Sequence, residues 1–106
     1  ITSAASAAHQ LIKRGVLIAI IKMGELGVYY ASNKDEGFIP PFPARVVDTT
    51  SAGDAFQGAL AVALSEGKSL GDAVKFGAAA GALAVTKHGV QDSMPVRSDV
   101  ESLLDT

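Results

Sequence analysis

"VLIAII", residues 16–21, is six apolar residues in a row with no polar residue among them, bounded by Gly15 and by Lys22, Met23 and Gly24. Such a run predicts a β-strand buried on both faces, the kind found in parallel sheets covered by helices. Residues 2–14 carry Ala4, Ala5, Ala7, Ala8, Leu11 and Ile12 at helical spacing, with Thr2 or Ser3 as a cap and Gly15 as a stop. A helix that feeds a fully apolar strand predicts an α/β layered fold.

Downstream, "GVYYAS" at 27–32 follows the short "KMGELG" and predicts an antiparallel hairpin with the first strand. "EGFIP" is a third extended piece, and "PPFPARVV" must also be extended, because each proline restricts itself and its predecessor. From Gly53 the pattern turns helical through Ala55, Phe56, Ala59, Leu60 and Ala63 until Gly67. "SLGDAVKFGAAAGALAVTKHG", 69–89, predicts a second helix from a cap near Ser69 to a stop at Gly89, and "SDVESLLDT", 98–106, a short third. A strand as apolar as 16–21 needs neighbours on both sides, and the chain supplies few. It also begins on Ile1, so the reading is of the final portion of a longer α/β protein.

Nine basic and eleven acidic residues give a formal charge of −2, with no basic run to follow a phosphate backbone, which argues against nucleic-acid binding. The absence of cysteine removes thiolate metal sites and cysteine nucleophiles, and no stretch approaches the ~20 apolar residues of a membrane helix. The expectation is a soluble, cytoplasmic protein. His9 and His88 are the two histidines; neither has a partner at metal-ligand spacing or a nucleophile beside it, so both read as solvated or packing residues.

The chemistry concentrates in "DTTSAGDAF", 48–56. Thr50 or Ser51 as a helix cap, with Asp54 in the first turn, accounts for part of it. Asp48, the second hydroxyl and Gly53 are left over. The alternative uses them all: the main-chain N–H groups of Ser51, Ala52 and Gly53 form an anion hole, and Asp54 beside it accepts a proton from an attacking hydroxyl.

These residues resemble the D-T-T-G-A-G-D signature of the ribokinase-like carbohydrate kinases, the phosphofructokinase B type family, with Ser51 in place of the usual glycine. "IIKMGELGV" resembles the family's T-L-G-x-x-G nucleotide segment, with Lys22 where threonine is usual, and "AVTKHGVQDSMP" resembles its closing A-V-T-x-x-G-A-x-x-S-x-P, in the form typical of the ribose kinases. The three motifs stand in order across essentially the whole chain.

The resemblance implies the C-terminal nucleotide-binding and catalytic portion, residues 1–106, of a three-layer αβα ribokinase-like fold, without the N-terminal sugar-binding and lid portion. It implies ATP-dependent phosphorylation of a sugar hydroxyl, ribose to ribose 5-phosphate first, with Asp54 as base and as the residue that meets the substrate. Nucleotide contacts fall to Lys22, Met23, Gly24, Glu25, Leu26 and Gly27, to Gly53 and Asp54, and to Ala78 beside the adenine. On residues alone, "MGELG" reads as a plain turn, and Gly77 and Gly81 ask only for tight helix packing.

Carbonyls at the end of the second helix carry partial negative charge, which Lys87 and His88 would complement or a cation would occupy. By resemblance, a potassium-type site would use Asp48, Thr50, Ala84, Lys87, Gly89 and Ser93. ATP with Mg2+ is the implied donor, potassium the activating ion, and a homodimer the implied state of the intact protein. The 106-residue chain alone is then inactive. The competing readings are a non-catalytic nucleotide-binding or structural piece, or a kinase for another sugar or a nucleoside.

Overall fold

The computed structural model describes residues 2–42, 52–84 and 97–104. They fall into two units, Ile1–Pro41 and Phe42–Thr106.

In the first unit, helix α1 (Thr2–Lys13) precedes strand β1 (Ile18–Lys22), a single 3-10 turn (Gly24–Leu26), β2 (Val28–Ser32) and β3 (Glu36–Ile39). The helix ends as its glycine foretells: the Gly15 N–H donates to the Ile12 carbonyl and the Val16 N–H to that of Leu11, a Schellman closure. β1 and β2 pair antiparallel with Ile20 opposite Tyr30 and Lys22 opposite Val28, so the expected hairpin forms. β3 continues the sheet antiparallel to β2, with Phe38 opposite Tyr29. Ser32 fixes the connection, its hydroxyl oxygen accepting from the N–H groups of Lys34 (3.2 Å) and Asp35 (3.1 Å).

Ala4 and Ala8, one turn apart on α1, face Ala19, Tyr29 and Ala31 of the sheet. Small residues on both sides bring the helix close to the strands. The fully buried strand expected at 16–21 is not what this unit builds. β1 starts at Ile18, Leu17 is 82 % exposed and Ile18 43 %, and only Ala19 of the strand is buried. The reason is position: in the order β1-β2-β3, β1 has a single strand neighbour among the described residues, and an unalternating sequence does not say whether its second edge is occupied.

In the second unit, α2 (Ala52–Ser65) and α3 (Leu70–Ala84) form an antiparallel hairpin, and α4 (Arg97–Leu104) packs on α3. The hairpin turns at Gly67 and restarts at Ser69, whose hydroxyl accepts from the Asp72 N–H at 3.2 Å. Its core is Ala55, Ala63, Ala73, Phe76, Ala79, Ala80, Ala84 and Val100. Two of the three α3 glycines explain themselves by contact: a Cβ at Gly77 would lie 2.9 Å from the Phe56 carbonyl oxygen, and one at Gly81 would lie 3.3 Å from that of Ala52. Backbone packs on backbone there, offsetting the roughly 1 kcal/mol that each helical glycine costs.

Arg97 joins α4 to the hairpin, gripping both carboxylate oxygens of Glu66 and lying 5.5 Å over the Phe76 ring. No helix among the described residues is long and apolar enough to cross a membrane. The expected extended run from 43 and the expected continuation of α3 to Gly89 lie outside the described residues.

Candidate active site

The structure gathers the described site residues into two groups, one in each unit. In the second unit, α2 begins at Ala52, so Ala52, Gly53 and Asp54 form its first turn, as the signature predicts. The first N–H groups of a helix have no acceptor inside it, and they sit at the positive end of the helix dipole. Ala52 and Gly53 are half-buried and carry no bulk to keep an anion away. Asp54 is exposed, whereas the next two residues, Ala55 and Phe56, are 6 % exposed each and anchor the turn in the core. A helix start with an exposed carboxylate beside its first amides can hold an oxyanion and take a proton beside it.

Ala78 is half-buried on α3, three residues before Gly81, which touches the Ala52 carbonyl; i and i+3 positions adjoin on a helix. Ala84 is fully buried and is the last described residue of α3. Asp48, Thr50, Ser51, Lys87, Gly89 and Ser93, named in the sequence for the anion hole and the cation site, lie outside the described residues. Among the described residues no three His, Cys, Asp or Glu side chains cluster as a metal site would need.

In the first unit, the six residues Lys22–Gly27 form one tight turn at the end of the β1–β2 hairpin. The Met23 N–H donates to the Gly27 carbonyl at 2.9 Å, and the Gly27 N–H to that of Gly24 at 3.2 Å. Both glycines have positive φ, 58° at Gly24 and 106° at Gly27, which side chains strongly disfavour. At Gly27 a Cβ would also collide with the Ile39 carbonyl and meet the Phe38 ring at 3.0 Å, so this glycine serves the sheet. At Gly24 the space is open, which leaves the backbone approachable from outside. Met23 packs inward, while Lys22, Gly24, Glu25 and Leu26 are exposed, Leu26 at 66 %. The turn thus offers approachable backbone, a lysine and a bare leucine side chain, a combination suited to phosphate and ribose or base.

Two polar clusters escaped the sequence reading because their members are far apart in the chain. His9 on α1 pairs through Nε2 with Glu36 at 2.6 Å, and Glu36 also accepts from the Tyr29 hydroxyl. These bonds hold the Glu36 carboxyl below the usual range, Tyr29 more than His9, and the same bond raises the Tyr29 phenol. His9 remains exposed, as a solvated residue should be. Arg97 and Glu66 form the other cluster, with Glu66 held below, and Arg97 above, its ordinary value by their mutual hydrogen bonds.

The model of the pfkB family carbohydrate kinases matches residues 1–97. Ribokinase of Bacillus subtilis (strain 168) is 48 % identical over 84 residues, which are 79 % of this chain and 29 % of that protein. The crystal structure of ribokinase from Thermotoga maritima superposes with a TM-score of 0.87 at 46 % identity, covering 95 % of this chain and 34 % of that one. The Arabidopsis thaliana ribokinase, solved with ribose and ATP, gives 0.87 at 38 % identity, covering 96 % and 33 %. The chain thus spans about a third of the length of these relatives. Its mixed helix and sheet correspond to part of their α/β fold, and the chain belongs to the pfkB family of carbohydrate kinases.

Proposed function

We propose that this chain is the nucleotide-binding and catalytic portion of an ATP-dependent sugar kinase, and that ribose is the acceptor. The observation that carries the reading is the first turn of α2, where an exposed Asp54 stands beside the amides of Ala52 and Gly53. The Asp54 carboxylate takes the proton of a sugar hydroxyl as its oxygen attacks the γ-phosphorus of ATP; the bond to the β,γ-bridging oxygen breaks and ADP leaves. The amides of Ser51, Ala52 and Gly53 hold the charge on the transferring phosphoryl group, and Mg2+ enters with ATP as part of the substrate. The Lys22–Gly27 turn holds the nucleotide phosphates and ribose, and Ala78 adjoins the adenine.

Ribose is preferred because ribokinases are prominent among the relatives matched, one of them solved with ribose and ATP. Asp48, Thr50, Ala84, Lys87, Gly89 and Ser93 make up the candidate potassium site, of which the buried Ala84 on α3 is the described member. Potassium would supply a fixed positive charge next to the anion hole. A dimeric, cytoplasmic whole protein belongs to the same reading. The length, a third of the matched relatives, favours one alternative: that the 106-residue chain by itself binds nucleotide without catalysing transfer.

Steady-state kinetics of the full-length kinase carrying this segment test the proposal. Asp54→Asn should lower kcat about 10²–10⁴-fold with little change in KM for the sugar. Near-normal turnover would remove Asp54 as the base. Activity indifferent to potassium, sodium and caesium would remove the cation site.

A further inference from the structure

Gly77 and Gly81 stand one turn apart on α3, and the nearest atom a Cβ at each would meet on α2 is a main-chain carbonyl oxygen. A Cβ at Gly81 would lie 3.3 Å from the Ala52 oxygen, and one at Gly77 would lie 2.9 Å from the Phe56 oxygen, itself one turn along α2. The peptide unit is planar and trans, so the Ala52 carbonyl and the Gly53 N–H share one rigid plane and point in opposite directions. Whatever fixes that carbonyl also aims that N–H. The Gly53 N–H belongs to the first turn, where no carbonyl of the same helix accepts it.

We propose that Gly81, supported by Gly77, is a positioning residue for phosphoryl transfer: its bare Cα seats the Ala52–Gly53 peptide so that the Gly53 N–H is directed at the transferring group. The inference rests on the reading of the α2 first turn given above, and it names what sets that turn. A side chain in the way can rotate aside, but a carbonyl in a helix moves only with its peptide and its helix. A methyl at Gly81 pushes the Ala52 peptide by a few tenths of an ångström, and one at Gly77 forces a larger shift. Oxyanion donors act through geometry fixed before the reaction, so a displaced donor lowers turnover before it disturbs sugar binding.

Gly58 supplies the internal control. It lies in the middle of α2, is exposed, and has nothing within 4 Å of a Cβ. The experiment is steady-state kinetics, thermal unfolding and amide NMR of Gly58→Ala, Gly77→Ala and Gly81→Ala in the full-length kinase carrying this segment. Gly81→Ala is expected to lower kcat about five- to tenfold. Its sugar KM should stay unchanged, and its Gly53 amide resonance should shift. Gly77→Ala should lose more, and Gly58→Ala should keep wild-type kcat and the wild-type Gly53 resonance. If Gly77→Ala does not fold, Gly81→Ala decides alone. Wild-type kcat in Gly81→Ala, or a loss that only follows the fraction unfolded, overturns the proposal. Asp54→Asn run in parallel separates the failures. If it is inactive while Gly81→Ala is normal, only the positioning role falls; if it is active, the base and the positioning role fall together.

Discussion

Arg97 grips the Glu66 carboxylate with both terminal nitrogens of its guanidinium across 31 residues of sequence, and so fastens α4 to the end of α2. Glu66 is held below the ordinary glutamate range chiefly by that hydrogen bonding. A lowered folded pKa contributes stability above the unfolded value that is lost as pH falls through the folded one. Glu66→Gln should therefore melt at a lower temperature than wild type at pH 7, and the gap should close as pH drops below the ordinary glutamate range. A gap that is independent of pH contradicts the assignment.

Glu36 is a second carboxylate with the same sign but a different main cause, the Tyr29 hydroxyl, ahead of His9. In Tyr29→Phe the buried ring stays and this donor goes. Carboxyl-detected NMR should show Glu36 titrating at higher pH in Tyr29→Phe than in wild type. The Tyr29 phenol is raised in turn, so its own contribution holds below the ordinary tyrosine value and disappears as pH rises through the raised one. An unchanged Glu36 titration would falsify the contact.

The two glycines of the β1–β2 turn should separate in mutagenesis. Gly24→Ala meets only its backbone penalty, about 1–2 kcal/mol for a left-handed residue. Gly27→Ala adds the collision with the Ile39 carbonyl and should cost clearly more. Chemical denaturation of the pair checks the order, and equal losses would mean that β3 gives way freely.

Along β1, exposure and burial change within three residues. Leu17→Lys, at a position 82 % exposed, should alter stability by less than about 0.5 kcal/mol. Ala19→Leu, against Ala4 and Ala8, overfills a packed interface and should cost about 1–3 kcal/mol. Reversal of the two would show that the register of β1 is not Ala19 opposite Ala31.

Much of this was legible where local chemistry decides it. Gly15, Gly67 and Ser69 announce their helix ends, and the small residues after Thr50 announce the first turn that carries Asp54. What was not legible depends on partners distant in the chain. The run 16–21 carries no sign of which strand edge is occupied, and nothing near His9 or Glu66 in sequence names Glu36 or Arg97. The spacing of Gly77 and Gly81 signalled close packing, but only the structure shows that the neighbours are the Ala52 and Phe56 carbonyls.

The core of the second unit is mostly alanine, and among the described residues the largest completely buried side chain is Val74 of α3. An alanine has no rotamers to lose, so assembling this core demands little side-chain entropy, but it also gains little apolar area per residue. Its specificity must then come from the fit of one main chain on another. Sliding α3 along α2 by one turn would bring Ala73 against the Phe56 carbonyl in place of Gly77, so the two glycines favour the alignment in which both carbonyls meet a bare Cα.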